Sequence, residues 1–220
     1  MKVAIFDFDG TIVYSESLWI DTFDQFEMEL KLPRTPKEVR AHQMTQSVLN
    51  LARLYYTTYE DVRQQYKSAD ELASYFNEKT EKKVYCQQPI EGVCEFIEKL
   101  HKNNIPIIIA SSGRKEHIEK YLKQWNIKVN DIVTGLDVLH PKPSTDIYFE
   151  AMKRSRRTVN PNECFVFEDN PIPAINAHQA GFKVCMIKCN NYSIFQEPFD
   201  FADIVITNYI RIKETLIEEE

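Results

Sequence analysis

Asp7 and Asp9 stand one residue apart where the apolar run VAIF (3–6) ends, and Gly10 and Thr11 follow at once. Further along, Ser111 and Ser112 close the run IPIIIA (105–110), and Glu168 and Asp169 close CFVF (164–167). Lys142 follows DIVT (131–134) after a short loop, inside HPKPSTDIY. Carboxylate, hydroxyl, ammonium and carboxylate thus arrive from the ends of four apolar runs. Gathered at one point, the carboxylates repel one another: two unit charges about 4 Å apart cost about 4 kcal/mol at an effective dielectric of about 20. Such a cluster calls for a cation, and oxygen donors alone suit a hard ion such as Mg²⁺, which binds carboxylates, water and a substrate phosphate oxygen. With Lys142 neutralising further charge and Ser111 donating a hydrogen bond, the set suits phosphoryl transfer.

Each fragment alone has a plainer reading. Asp9-Gly10 is a hairpin signal, but the next strand-like run begins only at Ile105, so it has no partner strand. Ser111 or Ser112 could cap a helix starting near Lys115. Lys142 could be a solvated lysine, and Glu168-Asp169-Asn170-Pro171 a turn leading into a helix. None of these readings predicts that all four groups follow successive strands.

The elements that must position them are legible. VAIF, IPIIIA, DIVT, CFVF, KVCMI (183–187) and DIVIT (203–207) are short and rich in Val and Ile, as strands buried on both faces are. Between them run helical patterns such as GVCEFIEKLHK, EHIEKYLKQW, DIYFEAMKRS and PAINAHQAG, the last closed by Gly181 as a left-handed cap. Alternation of strand and helix predicts a parallel α/β sheet of Rossmann-like type covered by helices. Ligands of such sheets gather beyond the carboxyl ends of the strands. One segment breaks the alternation: residues 15–83 carry only helical patterns, including SLWIDTFDQFEMEL, QSVLNLARLYY and ADELASYFNEKT. Its length suits a small helical domain inserted into a core made of 1–14 and 84–220.

The 220 residues suit one principal core with a modest insertion, and 43% hydrophobic with 27% charged residues is ordinary globular composition. A net charge of −6 argues against a general nucleic-acid or membrane-surface binder. The apolar runs are too short to span a bilayer. No leader precedes Val3, and the five cysteines form no C-x-x-C pair, so a cytoplasmic protein with idle thiols is expected; Cys185 and Cys189, four apart, are read the same way. A monomer is the default expectation.

The motifs together resemble the haloacid dehalogenase superfamily, in the branch of β-phosphoglucomutase and small sugar-phosphate phosphatases. FDFDGT is similar to its D-x-D-G-T motif, IIIAS to its second motif, HPKPSTDIY to its K-P-x-x-D-x-Y stretch and CFVFEDNPIPAINAHQAG to its E-D-S-x-x-G-I-x-A-A-x-x-A-G stretch. The resemblance spans the chain in order, and the inserted helices correspond to that branch's cap domain. It implies Asp7 as a nucleophile forming an aspartyl-phosphate and Asp9 as the acid and base, a residue that points to phosphate esters rather than halides. It implies Mg²⁺ held by Asp7, the Asp9 backbone carbonyl and Asp169, with Glu168 acting through water or behind the ligands. Ser111 and Lys142 join the catalytic set, and Gly10, Thr11, Ser112, Gly113 and Arg114 the substrate and phosphate contacts.

Three positions depart from that pattern. Tyr14 stands where the branch has Asp, Pro173 where its last motif has Gly, and Gln46 near the mutase arginine that holds a distal phosphate. Arg114 matches a mutase lysine facing the same group. The expected function is a Mg²⁺-dependent phosphatase acting on a small phosphorylated metabolite such as a sugar phosphate, with a mutase and a non-catalytic binding protein as alternatives. Trp19, Phe23, Phe26, Tyr55, Tyr56 and Tyr59 are read as cap core before ligand platform. His42 and His117 are read as surface or cap residues.

Overall fold

The structure, a computed structural model, describes residues 1–188, 199–210 and 212. Six parallel strands form one sheet: β1 (Val3–Phe6), β2 (Ile107–Ser111), β3 (Asp131–Thr134), β4 (Cys164–Glu168), β5 (Lys183–Ile187) and β6 (Ile204–Ile206). Their order is β3-β2-β1-β4-β5-β6. The chain therefore winds outward from β1 to one edge, returns to β1's other side, and winds outward again. That reversal opens a crevice beyond the carboxyl end of β1, the place where such sheets bind ligands.

Alternation within β1 splits its side chains between two cores. Ala4 and Phe6 join one face with Phe96, Ile107, Ile109, Tyr121 and Phe167, while Val3 and Ile5 join the other with Ile108, Ala110, Tyr148 and Val166. Burial on both faces explains the unbroken apolar runs. Helices α6 (Val93–Lys102), α7 (Lys115–Gln124), α8 (Asp146–Arg154) and α9 (Pro171–Gln179) connect the strands. Gly181 ends the last of them at φ +92°.

Between β1 and α6 lie α1 (Glu16–Glu29), α2 (Lys37–Gln43), α3 (Val48–Thr58), α4 (Glu60–Gln65) and α5 (Ala69–Val84). They enclose a third hydrophobic cluster containing Trp19, Phe23, Phe26, Leu51, Tyr55, Val62, Leu72 and Phe76. Phe26 sits edge-to-face on both Tyr55 and Phe76, with ring centroids at 5.4 and 4.8 Å. The helical insertion thus has a core of its own. Under that core lies a buried polar knot: Arg40 of α2 donates to Glu27, Asp24, Gln43 and Tyr55. Among the described residues no helix is long and apolar enough to cross a membrane. Cys185 is a buried thiol on β5, and its expected neighbour Cys189 lies outside the described residues, as does the acidic end 218–220.

Candidate active site

Register brings the carboxylates together. Phe6 pairs with Phe167 across β1 and β4, so the next step along both strands sets Asp7 beside Glu168. The Asp7 backbone N–H donates to the Phe167 carbonyl at 2.9 Å, which fixes that first step past the strand. One carboxylate oxygen from each of Asp7, Glu168 and Asp169 lies within 4.8 Å of the others. Lys142 reaches in from the loop after β3, and its Nζ donates to Asp7 Oδ1 at 2.7 Å and to Glu168 Oε1. Tyr148 OH donates to the same Glu168 oxygen at 2.7 Å, and the Asn170 N–H donates to the other. Glu168 is thereby held by Lys142, Tyr148 and the Asn170 N–H, and all three carboxylates line the crevice.

Gly10 makes this packing possible. Its φ of +73° is left-handed, and a Cβ there would stand 2.0 Å from Asp169 Oδ2. Only glycine serves both the turn and the close approach.

Asp9 belongs to a different set of partners. Its Oδ1 accepts from Ser15 Oγ at 2.5 Å and from Trp19 Nε1 at 2.9 Å. Ser15 and Trp19 are four residues apart at the start of α1, so they present their donors on one face. Asp9 Oδ2 and Ser111 Oγ both lie near Gly113, within 3.7 and 3.3 Å of where a Cβ would sit on it. Ser111 Oγ accepts from the Gly113 N–H at 3.0 Å, which leaves its hydroxyl proton for an incoming oxygen.

A cavity of about 620 Å³ opens above these groups and extends under the helical insertion. Asp7, Asp9, Ser111, Ser112, Gly113, Arg114, Lys142, Glu168 and Asp169 all border it. Gly10 and Thr11 do not: Gly10 packs against Asp169, and Thr11 is fully buried with its carbonyl accepting from Tyr209 OH at 3.0 Å. They shape the loop rather than wall the pocket. Ser111 and Ser112 leave α7 without a side-chain cap; Ser112 Oγ instead donates to the Thr45 carbonyl at 3.0 Å. Arg114 is paired with Glu81 of α5 through Nε at 2.9 Å and Nη2 at 2.5 Å. His117 is neither a surface nor a cap residue. It lies buried on α7, its ring packed between Phe8, in the loop after β1, and Tyr85, at the end of α5. His42 is exposed on α2.

Some site residues escaped the sequence reading. Trp19 belongs to the insertion's core and also touches Asp9; Ser15, Asn77 and Glu81 become neighbours of the site only through folding. Glu16 borders the cavity, and its buried Oε1 has no hydrogen-bond partner among the described residues. The spacing of Ser15 and Trp19 was the available signal, since both stand at the start of α1, directly after the loop that carries Asp9.

Electrostatics supply the test for a metal. Burial raises the Asp7 carboxyl above the ordinary carboxylate range, and Glu168 and Asp9 add to the rise while Lys142 opposes it. Asp169 is likewise raised well above the ordinary carboxylate range, by burial first and then by Glu16, Glu168 and Asp7. Burial opposes the Lys142 charge, but Asp7 and Glu168 outweigh it and keep the ammonium protonated. One cation among this many buried carboxylates leaves negative charge uncompensated. An all-oxygen donor set with that deficit fits a hard divalent ion.

The family model for the haloacid dehalogenase-like hydrolases matches residues 4–187. The chain belongs to that family. It is 27% identical to a probable pseudouridine-5'-phosphatase of Drosophila melanogaster over 84% of this chain and 80% of that protein. It is 25% identical to (DL)-glycerol-3-phosphatase 2 of Arabidopsis thaliana over 96% of this chain and 88% of that protein. Among solved structures, a β-phosphoglucomutase from Clostridium difficile shares the fold at a TM-score of 0.76 and 17% identity, covering 99% of this chain and 95% of that one.

Proposed function

We propose that this haloacid dehalogenase-like hydrolase is a Mg²⁺-dependent phosphatase that cleaves a small phosphorylated metabolite through an aspartyl-phosphate. The observation carrying this reading is the pairing of a buried, Lys142-bound Asp7 with an Asp9 that faces the same cavity but has separate partners. Two carboxyl groups in unlike environments can take unlike roles.

Asp7 is assigned as the nucleophile: its carboxylate oxygen bonds to phosphorus as the bond to the substrate alcohol breaks. Asp9 is assigned to give its proton to the departing alcohol oxygen. It then takes a proton from the water that attacks phosphorus, releasing phosphate and restoring the Asp7 carboxylate. Lys142 and Ser111 stabilise the transferring group by charge and hydrogen bond. Asp7, Asp169 and the Asp9 backbone carbonyl would hold Mg²⁺, with Glu168 behind them. The bound ion supplies positive charge that offsets the repulsion between the carboxylates and an incoming phosphate. Residues 15–83 are assigned as a cap over a core of 1–14 and 84–220, shielding the reaction from bulk water. The related phosphatases named above support a small phosphate ester as substrate.

Phosphate release from para-nitrophenyl phosphate tests this reading. Turnover should require Mg²⁺, stop with a chelator and vanish in Asp7→Asn; turnover that persists in Asp7→Asn would sink it. A mutase remains the second reading because of the fold shared with β-phosphoglucomutase. Isomerisation of β-glucose phosphate with a bisphosphate primer, without phosphate release, would favour it.

A further inference from the structure

Arg114 borders the cavity, and one edge of its guanidinium, Nε with Nη2, is turned to a single partner. Nε and Nη2 donate to the two carboxylate oxygens of Glu81, a side chain only 10% exposed on α5. This fork-to-fork contact is the geometry in which arginine recognises an anion. An internal carboxylate therefore sits where a second anionic group of a substrate would bind.

The surrounding wall offers little replacement charge. Lys142 is committed to Asp7 and Glu168. His117 lies buried beside the pair, 3.8 Å from Glu81, with both ring nitrogens lacking a hydrogen-bond partner among the described residues. Burial holds its imidazole below the ordinary value of 6.5, hence neutral near pH 7. Arg53 is exposed at the rim, and Lys115 is half-buried beside Glu116. The cavity is also lined by the amides Gln46, Asn50 and Asn77 and the ring of Trp19. Amides match hydroxyl groups, and an aromatic face matches the apolar side of a sugar or base.

We infer that the cap side of the cavity takes the uncharged, hydroxyl-bearing alcohol of a phosphate monoester, of sugar or nucleoside type, and that Glu81 sets this preference by occupying Arg114. The inference rests on the phosphatase reading and narrows its substrate class. An alcohol carrying a second phosphate or a carboxylate would have to displace Glu81 from that edge of Arg114, or bind the guanidinium's other edge with the Glu81 carboxylate close by. A neutral alcohol meets no such opposition. Specificity of this kind comes from a repulsive element as much as from an attractive one.

The test compares kcat/KM for phosphate release from glycerol phosphate and uridine monophosphate with that from phosphoglycolate and glucose bisphosphate. The wild-type enzyme should favour the neutral pair by at least about tenfold, equivalent to about 1.4 kcal/mol. Glu81→Gln should shift the ratio toward the anionic pair by a similar factor, and Glu81→Gln combined with Arg114→Gln should reverse that shift. A wild-type preference for the anionic pair overturns the inference without any variant. An unchanged ratio in Glu81→Gln, with para-nitrophenyl phosphate still turned over, overturns it as well. Failure of the wild type to turn over para-nitrophenyl phosphate with Mg²⁺ would count against the phosphatase reading instead. Calorimetric binding of the same two pairs would then decide the pocket's preference by the same ratio.

Discussion

Arg40→Met tests the buried knot that ties α1 to α2. Arg40 is 2% exposed, and its guanidinium donates to Glu27 at 2.7 Å, Asp24 at 3.0 Å, Gln43 at 2.7 Å and Tyr55 at 3.0 Å. Asp24 is about one-third exposed, so water screens most of that contact. Glu27 is buried, and among the described residues only Thr35 and Tyr55 would remain to hold its charge. Removing one member of a buried pair costs about 3 to 5 kcal/mol, chiefly because the other charge is left uncompensated. With a urea slope of about 2 to 3 kcal/mol/M, the unfolding midpoint should fall by about 1 to 2.5 M. Glu27→Gln combined with Arg40→Met should recover at least half of that loss. The pH dependence follows from the same contacts. Burial opposes the Glu27 charge, but Thr35, Tyr55 and Arg40 outweigh it and lower its titration below the ordinary 4.5. Its contribution is therefore complete above 4.5 and fades as pH drops through the lower native value. In Arg40→Met that acid-side loss should be shallower. A midpoint shift below about 0.3 M, or a double variant no more stable than Arg40→Met, would refute the reasoning.

Gly10→Ala forces a left-handed alanine, costing about 1 to 2 kcal/mol, and drives a methyl into Asp169. Titration of Mg²⁺ against aryl phosphate turnover should show an apparent requirement raised more than about tenfold, in the range expected when support around a metal site is lost; an unchanged curve would count against the assigned ligand set. Tyr148→Phe removes the buried donor to Glu168 at 2.7 Å and should cost about 1 to 3 kcal/mol in thermal or urea unfolding. Trp19→Phe leaves Ser15 as the described side-chain donor to Asp9. Loss of a bond to a charged group, about 1.5 to 3 kcal/mol, should lower kcat about tenfold to a hundredfold while KM moves less; equal kcat values would show that Trp19 does not orient Asp9.

The parts of the site that follow strands were legible because a parallel sheet buries whole runs and releases the chain at a predictable end. VAIF, DIVT and KVCMI match β1, β3 and β5, and β2 and β4 each extend one residue past their apolar runs to include Ser111 and Glu168. Within the insertion the long helices were readable, whereas α2 and α4 were not. At seven and six residues, neither offers two full turns of periodicity. The pairing of Arg114 with Glu81 joins positions 33 residues apart, through the docking of α5 on the loop after β2. No local spacing encodes such a contact. The burial of His117 follows from the same docking, which is why its position on α7 looked superficial in the sequence.

The two aspartates of FDFDGT therefore answer to different parts of the molecule. Asp7 is set by strand register and by Lys142, both properties of the sheet and its loops. Asp9 is held by Ser15 and Trp19, at the beginning of α1, and Glu27 lies near the end of that helix against Arg40. The helix has 14 residues, a rigid span of about 21 Å at 1.5 Å per residue. A disturbance at Arg40 thus has a direct mechanical route to Asp9 and none of comparable directness to Asp7. Arg40→Met should accordingly lower kcat for para-nitrophenyl phosphate through the second displacement, in which Asp9 takes the proton of the attacking water while the nitrophenolate leaves without one, and should leave formation of the Asp7 environment intact. Loss of stability with an unaltered kcat would show that α1 anchors the insertion without setting the acid and base.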